Sequence, residues 1–195
     1  GNISDMQYIQ KFCEEKNIKL IEDACQSFGA NRDGQHAGTY GDVSTLSFNA
    51  NKPVAGLAGG GAFLTDNKEE ANLVRKLRRH GNNEVLGYNS KMLAINAEFI
   101  NFRMDKMHEW QDMRFRVAKR YTNNLKNLPV IIPHVDDIVN HCYHKYVIRL
   151  ENKETRDTLQ KRLNANVHYP NPISENPMYK SILNRKDNCL NSQLI

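Results

Sequence analysis

Apolar positions along the chain fall into two rhythms. Over residues 4–17, Met6, Ile9, Phe12 and Cys13 recur three and four apart behind Ser4, so the spacing predicts a helix with one apolar face and a capping hydroxyl. Residues 19–22 (KLIE) are too few for another helix and read as a short buried strand ending at Asp23. Residues 43–48 (VSTLSF) and 61–65 (GAFLT) are two further strands, parted by a glycine-rich stretch, and residues 67–80 return to helical spacing with Ala71, Val74 and Leu77 turned inward. From about 95 to 128 the helical period persists without proline, enough for one long helix or two that meet at a kink. Beyond Pro129 the pattern predicts a strand over 143–150 (YHKYVIRL), a charged helix over 154–163 and a strand over 167–169 stopped by Pro170 and Pro172, while 185–195 carry no clear period. A helix feeding directly into a strand is half of an α/β crossover. The fold class expected is therefore α/β: a three-layer unit over about 1–110, then a smaller α+β unit over 111–195.

Composition removes whole classes. With 39% hydrophobic residues and only 11 Gly and 6 Pro among 195, the chain is neither disordered nor collagen-like. No apolar run approaches the ~20 residues of a membrane helix, so no membrane partner is expected. The net charge of +5 comes from basic residues concentrated at Arg75, Lys76, Arg78 and Arg79 and again at Arg114, Arg116, Lys119 and Arg120. Both groups alternate with apolar residues at helical spacing, as solvated helix faces do, and lack the aromatic or zinc-ligand pattern of a nucleic-acid binder. Cys13, Cys25, Cys142 and Cys189 stand far apart, which suits free thiols and a cytoplasmic setting. The chain opens at Gly1 without a charged-then-apolar leader, so neither a secretion signal nor a transit peptide is expected. His141 and His144, three apart on a predicted strand, point to opposite faces, and no metal site is expected.

Four features of the first half can carry chemistry. Asp23 ends a strand, with Gln26 three residues on; ligands bind at the carboxyl ends of strands in open α/β sheets, although Asp23 also suits a simple cap. Ser47 is followed five residues later by Lys52, a hydroxyl suited to a phosphate and an amine that serves either as a nucleophile or as a solvated loop lysine. The glycines at 56, 59, 60 and 61 fit close approach to a ligand or, more simply, a tight turn. Asn89 and Ser90 precede the long helix and suit an N-cap.

Taken in order, IEDACQSFGA, GTYGDVSTLSFNANK, the glycine-rich turn into AFLTD, RRHG, and GYNSKM before a long helix resemble the DegT/DnrJ-type sugar-nucleotide aminotransferase family. HKYVIRL and VHYPNP are similar to that family's C-terminal domain. The resemblance implies a pyridoxal-phosphate enzyme of the aspartate aminotransferase fold, with part of the three-layer large domain over 1–110 and a smaller α+β C-terminal domain over 111–195. By the same resemblance, Lys52 holds the cofactor aldehyde covalently and shuttles a proton, Asp23 pairs with the pyridine nitrogen, and Gln26 lies beside the ring hydroxyl. Ser47 donates to the cofactor phosphate, and Asn89 reaches the phosphate of a partner across a homodimer interface. Members with histidine in place of the lysine resemble sugar dehydratases, so Lys52 favours transamination of a nucleotide-linked keto-sugar with an amino acid, expected to be glutamate, as donor.

The sequence also departs from the family. Ala58 and Gly59 precede Gly60 and Gly61 where a glutamate is usual, and Lys91 replaces an arginine. The match begins well inside the catalytic domain and stops early, so a fragment is expected. The rival readings are a dehydratase or inactive fragment, and a non-catalytic regulatory or nucleic-acid-binding module using the basic helices.

Overall fold

The computed structural model describes residues 1–136 and 139–180, which fall into two compact units. The first unit comprises residues 1–120 and 134–146. Its opening helix α1, Met6–Lys16, is capped by Asp5 rather than Ser4: the Asp5 carboxylate accepts from the Tyr8 N–H at 3.2 Å. Asn17, at φ 53°, ends it in the left-handed conformation that asparagine tolerates. Met6 is buried, whereas Phe12 is not, so only part of the predicted apolar face reaches the core.

Strand β1, Ile21–Asp23, is followed by the two-residue strands β2, Asn31–Arg32, and β3, Gln35–His36, and then by β4, Val43–Ser47, and β5, Gly61–Thr65. The principal sheet has the order β1-β4-β5. β1 runs parallel to β4 with Asp23 opposite Thr45, and β5 runs antiparallel to β4 with Gly61 opposite Ser47. That register brings the carboxyl ends of β1 and β4 and the start of β5 to one end of the sheet. Leu46 and Phe48 pack with Ala24, Ala30, Val54 and Cys142 in the core. A second, small sheet joins β3, β2 and β6, Val139–Asn140, whose strands are too short to leave an alternating pattern in the sequence.

Helix α2, Lys68–Leu77, is capped by Asn67, which accepts from the Glu69 and Glu70 N–H groups. The long helical stretch is two helices, α3, Ala94–Asp105, and α4, Met107–Leu125, meeting at Lys106. The Arg103 guanidinium lies over the Phe99 and Trp110 rings, 5.6 and 4.6 Å from their centroids, and so bridges the junction. A boundary at residue 110 would fall inside α4. The first unit instead runs on to Arg120, because Gln111 donates to the Gly29 carbonyl at 2.6 Å, Arg114 donates to the Pro53 carbonyl at 3.2 Å, and Ala118 is buried.

The strand expected over 143–150 does not form. Tyr143 adopts φ 48°, outside strand geometry, and only Arg149 makes a bridge, to Ile131. The opposite-face argument for His141 and His144 therefore lapses, and the two rings have separate partners described below. In the second unit, residues 121–133 and 147 onward, helix α5, Lys153–Leu163, is capped by Asn152 and closed by left-handed Asn164. The strand expected over 167–169 is absent, since Tyr169 sits at φ 60° ahead of Pro170. Helix α6, Pro177–Lys180, ends the described chain; residues 185–195 and Cys189 lie outside the described residues. Among the described residues, no helix is long and apolar enough to cross a membrane.

Candidate active site

Alternation along β1 sends two adjacent carboxylates to different tasks. Glu22 turns into the interior, where one oxygen accepts from the Gly38 N–H at 2.7 Å and the other from the Tyr40 N–H at 2.9 Å and the Ser44 hydroxyl at 3.1 Å. This carboxylate is 8% exposed and organises the turn that leads into β4. Asp23, the next residue, is exposed at the carboxyl end of the strand. The Cys25 thiol and the Cys25 N–H, the latter 3.0 Å from Oδ1, hold the Asp23 carboxyl below the usual carboxylate range. The positive charge of Lys52 adds to the same effect, which puts the lysine and this carboxylate within electrostatic reach. Burial, then the contact with Asp23, pushes the Cys25 thiol up, so it remains a protonated donor at neutral pH.

Lys52 sits on the connection from β4 to β5. The Ser47 hydroxyl accepts from the Asn49 N–H at 3.4 Å, and the Lys52 N–H donates to the Asn49 carbonyl at 2.9 Å. Phe48 then closes the loop, accepting from the Gly56 N–H at 2.8 Å and donating to the Gly60 carbonyl at 2.9 Å. Residues 53–56 are buried, and Lys52 is half-buried. The Asn51 carbonyl accepts from His144 Nε2 at 2.8 Å, and burial holds that imidazole below its ordinary value. His141 has a different partner: its Nδ1 accepts from the Tyr143 N–H at 2.8 Å.

The glycine-rich stretch is a turn with a demanding backbone. Gly60 stands at φ 126°, and a Cβ on Gly56 would lie 2.6 Å from both the Asn96 side-chain oxygen and the Gly59 carbonyl. Asn96, 4% exposed on α3, fastens this turn: Oδ1 accepts from the Ala58 N–H at 3.3 Å and Nδ2 donates to the Gly59 carbonyl at 2.7 Å. Sequence reasoning passed over Asn96. The available signal was a polar residue four positions before Ile100, on the buried side of a helix.

Asp23, Ser47 and Lys52 thus gather at one end of the principal sheet, and Gln26 occupies the half-buried turn directly after β1. The Gln26 carbonyl accepts from the buried Cys142 thiol at 3.6 Å. Asn89 stands apart. It is exposed and bridges to Arg79 beyond α2, and among the described residues no hydrogen bond joins it to Asp23, Ser47 or Lys52.

Known proteins share this fold. The sequence profile of the DegT/DnrJ/EryC1/StrS aminotransferase family matches residues 1–195. A dTDP-3-amino-3,4,6-trideoxy-alpha-D-glucose transaminase of Micromonospora megalomicea subsp. nigra is 32% identical over 189 residues, 89% of this chain and 50% of that protein. The structure of NtdA from Bacillus subtilis with bound cofactor PMP is 30% identical, with a TM-score of 0.79 over 93% of this chain and 45% of its own. A DegT DnrJ EryC1 StrS aminotransferase from Brucella abortus is 27% identical, with a TM-score of 0.84 over 91% of this chain and 50% of its own. The chain spans about half the length of the curated relatives it matches. It has the α/β fold of the pyridoxal-phosphate aminotransferases over that span, and it belongs to the DegT/DnrJ/EryC1/StrS aminotransferase family.

Proposed function

We propose that this chain carries the lysine-bearing part of a pyridoxal-phosphate aminotransferase site that transfers an amino group from an amino acid, glutamate, to a keto-sugar linked to a nucleotide. The observation that carries the reading is the placement of Asp23 and Ser47 at the carboxyl ends of the paired strands β1 and β4, with Lys52 on the connection that follows β4 and its charge felt at Asp23. The donor set suits the cofactor: an amine able to condense with an aldehyde, a carboxylate kept ionised for a protonated ring nitrogen, and a hydroxyl beside backbone N–H groups for a phosphate. When bound, pyridoxal phosphate supplies a ring that accepts the electrons released as a proton leaves the carbon bearing the amine.

The residues of the chain do the rest. Lys52 would hold the cofactor aldehyde, and its Nζ would be the atom that takes up a proton and gives it back. Asp23, held ionised by Cys25, keeps the ring nitrogen protonated. The Ser47 oxygen accepts from Asn49, which leaves the hydroxyl proton free to donate to phosphate. Gln26, in the turn directly after β1, would hold the ring hydroxyl. Asn89, exposed here, would hold the cofactor phosphate of a second copy in a homodimer. A lysine at position 52, where dehydratase-like members have histidine, favours amine transfer.

The test is covalent trapping. Incubation with pyridoxal phosphate, borohydride reduction and peptide mapping should label Lys52 ahead of every other lysine. Prior treatment with glutamate should release 2-oxoglutarate and abolish the label. Equal labelling across surface lysines would refute the reading.

A further inference from the structure

We propose that His144 and Arg114 are positioning residues that clamp the loop bearing Lys52 from both sides. The inference rests on Lys52 as the reacting amine. The Asn51 carbonyl belongs to the peptide group that ends at the Lys52 nitrogen, and His144 donates to it at 2.8 Å. Beyond Lys52, the Pro53 carbonyl accepts from the Arg114 guanidinium at 3.2 Å. Between these two bonds, the Lys52 N–H is engaged by Asn49 and the following residue is a proline, which fixes its own φ and disfavours the helical region for Lys52. The backbone on either side of the lysine is thus held, while the amine carries no ion pair among the described residues.

Both clamps come from anchored segments. Arg114 lies on α4 three residues after Gln111, whose amide donates to the Gly29 carbonyl at 2.6 Å. His144 lies two residues after Cys142, which is 2% exposed and reaches the Gln26 carbonyl at 3.6 Å. Residues 142–144 therefore grip the turn that follows Asp23 and the loop that carries Lys52, setting one against the other. A carbonyl only accepts, so His144 carries its proton on Nε2; its Nδ1 is buried with no hydrogen-bond partner. The ring gives up solvation of that nitrogen for the one bond to Asn51, which is the arrangement of a group kept for where it points. Placement at this scale matters because a displacement of about 1 Å in a reacting group costs roughly a hundredfold in rate.

Deuterium exchange over residues 49–56, read by mass spectrometry without cofactor, tests the clamp together with the initial rate of borohydride-trapped labelling of Lys52 by pyridoxal phosphate. His144→Phe and Arg114→Met should each speed loop exchange about tenfold, as expected for loss of one hydrogen bond. They should slow Lys52 labelling while exchange in β4 and α2 stays as in the unaltered chain. His144→Gln and Arg114→Lys, which keep a donor, should recover most of both. Unchanged loop exchange in His144→Phe and Arg114→Met overturns the clamp, as does loss of protection throughout the chain in both, or a His144→Gln variant no better than His144→Phe. Loop exchange that responds as stated in a chain whose Lys52 is never labelled would leave the clamp standing and remove the cofactor reading instead.

Discussion

Replacing Glu22 with glutamine separates the two carboxylates of β1. The native carboxylate accepts at both oxygens, from the Gly38 N–H on one and from the Tyr40 N–H and Ser44 hydroxyl on the other. Glutamine offers one acceptor oxygen. If that oxygen faces Tyr40 and Ser44, its NH2 group confronts the Gly38 N–H; if it faces Gly38, Ser44 can reverse its hydroxyl but the Tyr40 N–H is stranded. Either way one buried backbone donor loses its acceptor, at about 1–3 kcal/mol, and the surviving bonds lose the strengthening of a full negative charge. A total near 3 kcal/mol corresponds to a fall in Tm of about 6–12 °C for a chain of this size. Thermal unfolding followed by circular dichroism reads it directly. Asp23→Asn, one residue further along, removes an exposed carboxylate and should move Tm by no more than about 2 °C while markedly slowing the trapping of pyridoxal phosphate on Lys52. A Glu22→Gln chain that melts within about 2 °C of the unaltered one would refute the assignment of Glu22 as the organiser of the 37–40 turn.

Other perturbations give results as distinct. Asn96→Ala strands the Ala58 N–H and the Gly59 carbonyl, so a loss of about 2–3 kcal/mol is expected in urea unfolding, together with faster exchange over residues 56–61. His141 has a pKa of about 4, below its ordinary 6.5, because burial disfavours its charged form. The unfolded chain therefore binds the proton first as pH falls: the stability present above pH 6.5 should decline toward pH 4 and level off below it. His141→Asn keeps an acceptor for the Tyr143 N–H and removes the titration, so a Tm profile that remains as steep between pH 6.5 and 4 would contradict the assignment.

The elements legible in the sequence were α1, β4, β5, α2, the broken helix over α3 and α4, and α5, each long enough to repeat a period, together with the short apolar run that became β1. What escaped was set by single residues or distant partners. Strands β2, β3 and β6 are two residues each, and a left-handed Tyr143 undid a convincing run of strand formers. In the candidate site, the places of Asp23, Gln26, Ser47 and Lys52 at or just beyond strand ends could be read from local pattern, whereas the roles proposed for them came from the family resemblance. Glu22 and Asn96 could not, since a buried polar side chain betrays itself only through the backbone groups it satisfies. The clamp residues lie further still from local inference: Arg114 reaches back 61 residues to Pro53, and His144 reaches 93 to Asn51.

That division has a physical origin. A reacting group needs exposure, and a strand end provides it with a few residues of sequence. Aiming the group requires a fixed external reference, because a loop held only by its own turn bonds can move as a body. The bond from Lys52 to Asn49 shapes the loop but cannot locate it, whereas His144 and Arg114 refer it to segments pinned through Cys142 and Gln111. On the proposed function, local sequence specifies which atoms would react, and the long-range hydrogen bonds specify where they stand. Substitutions at the second kind of position should alter the reactivity of Lys52 without touching it.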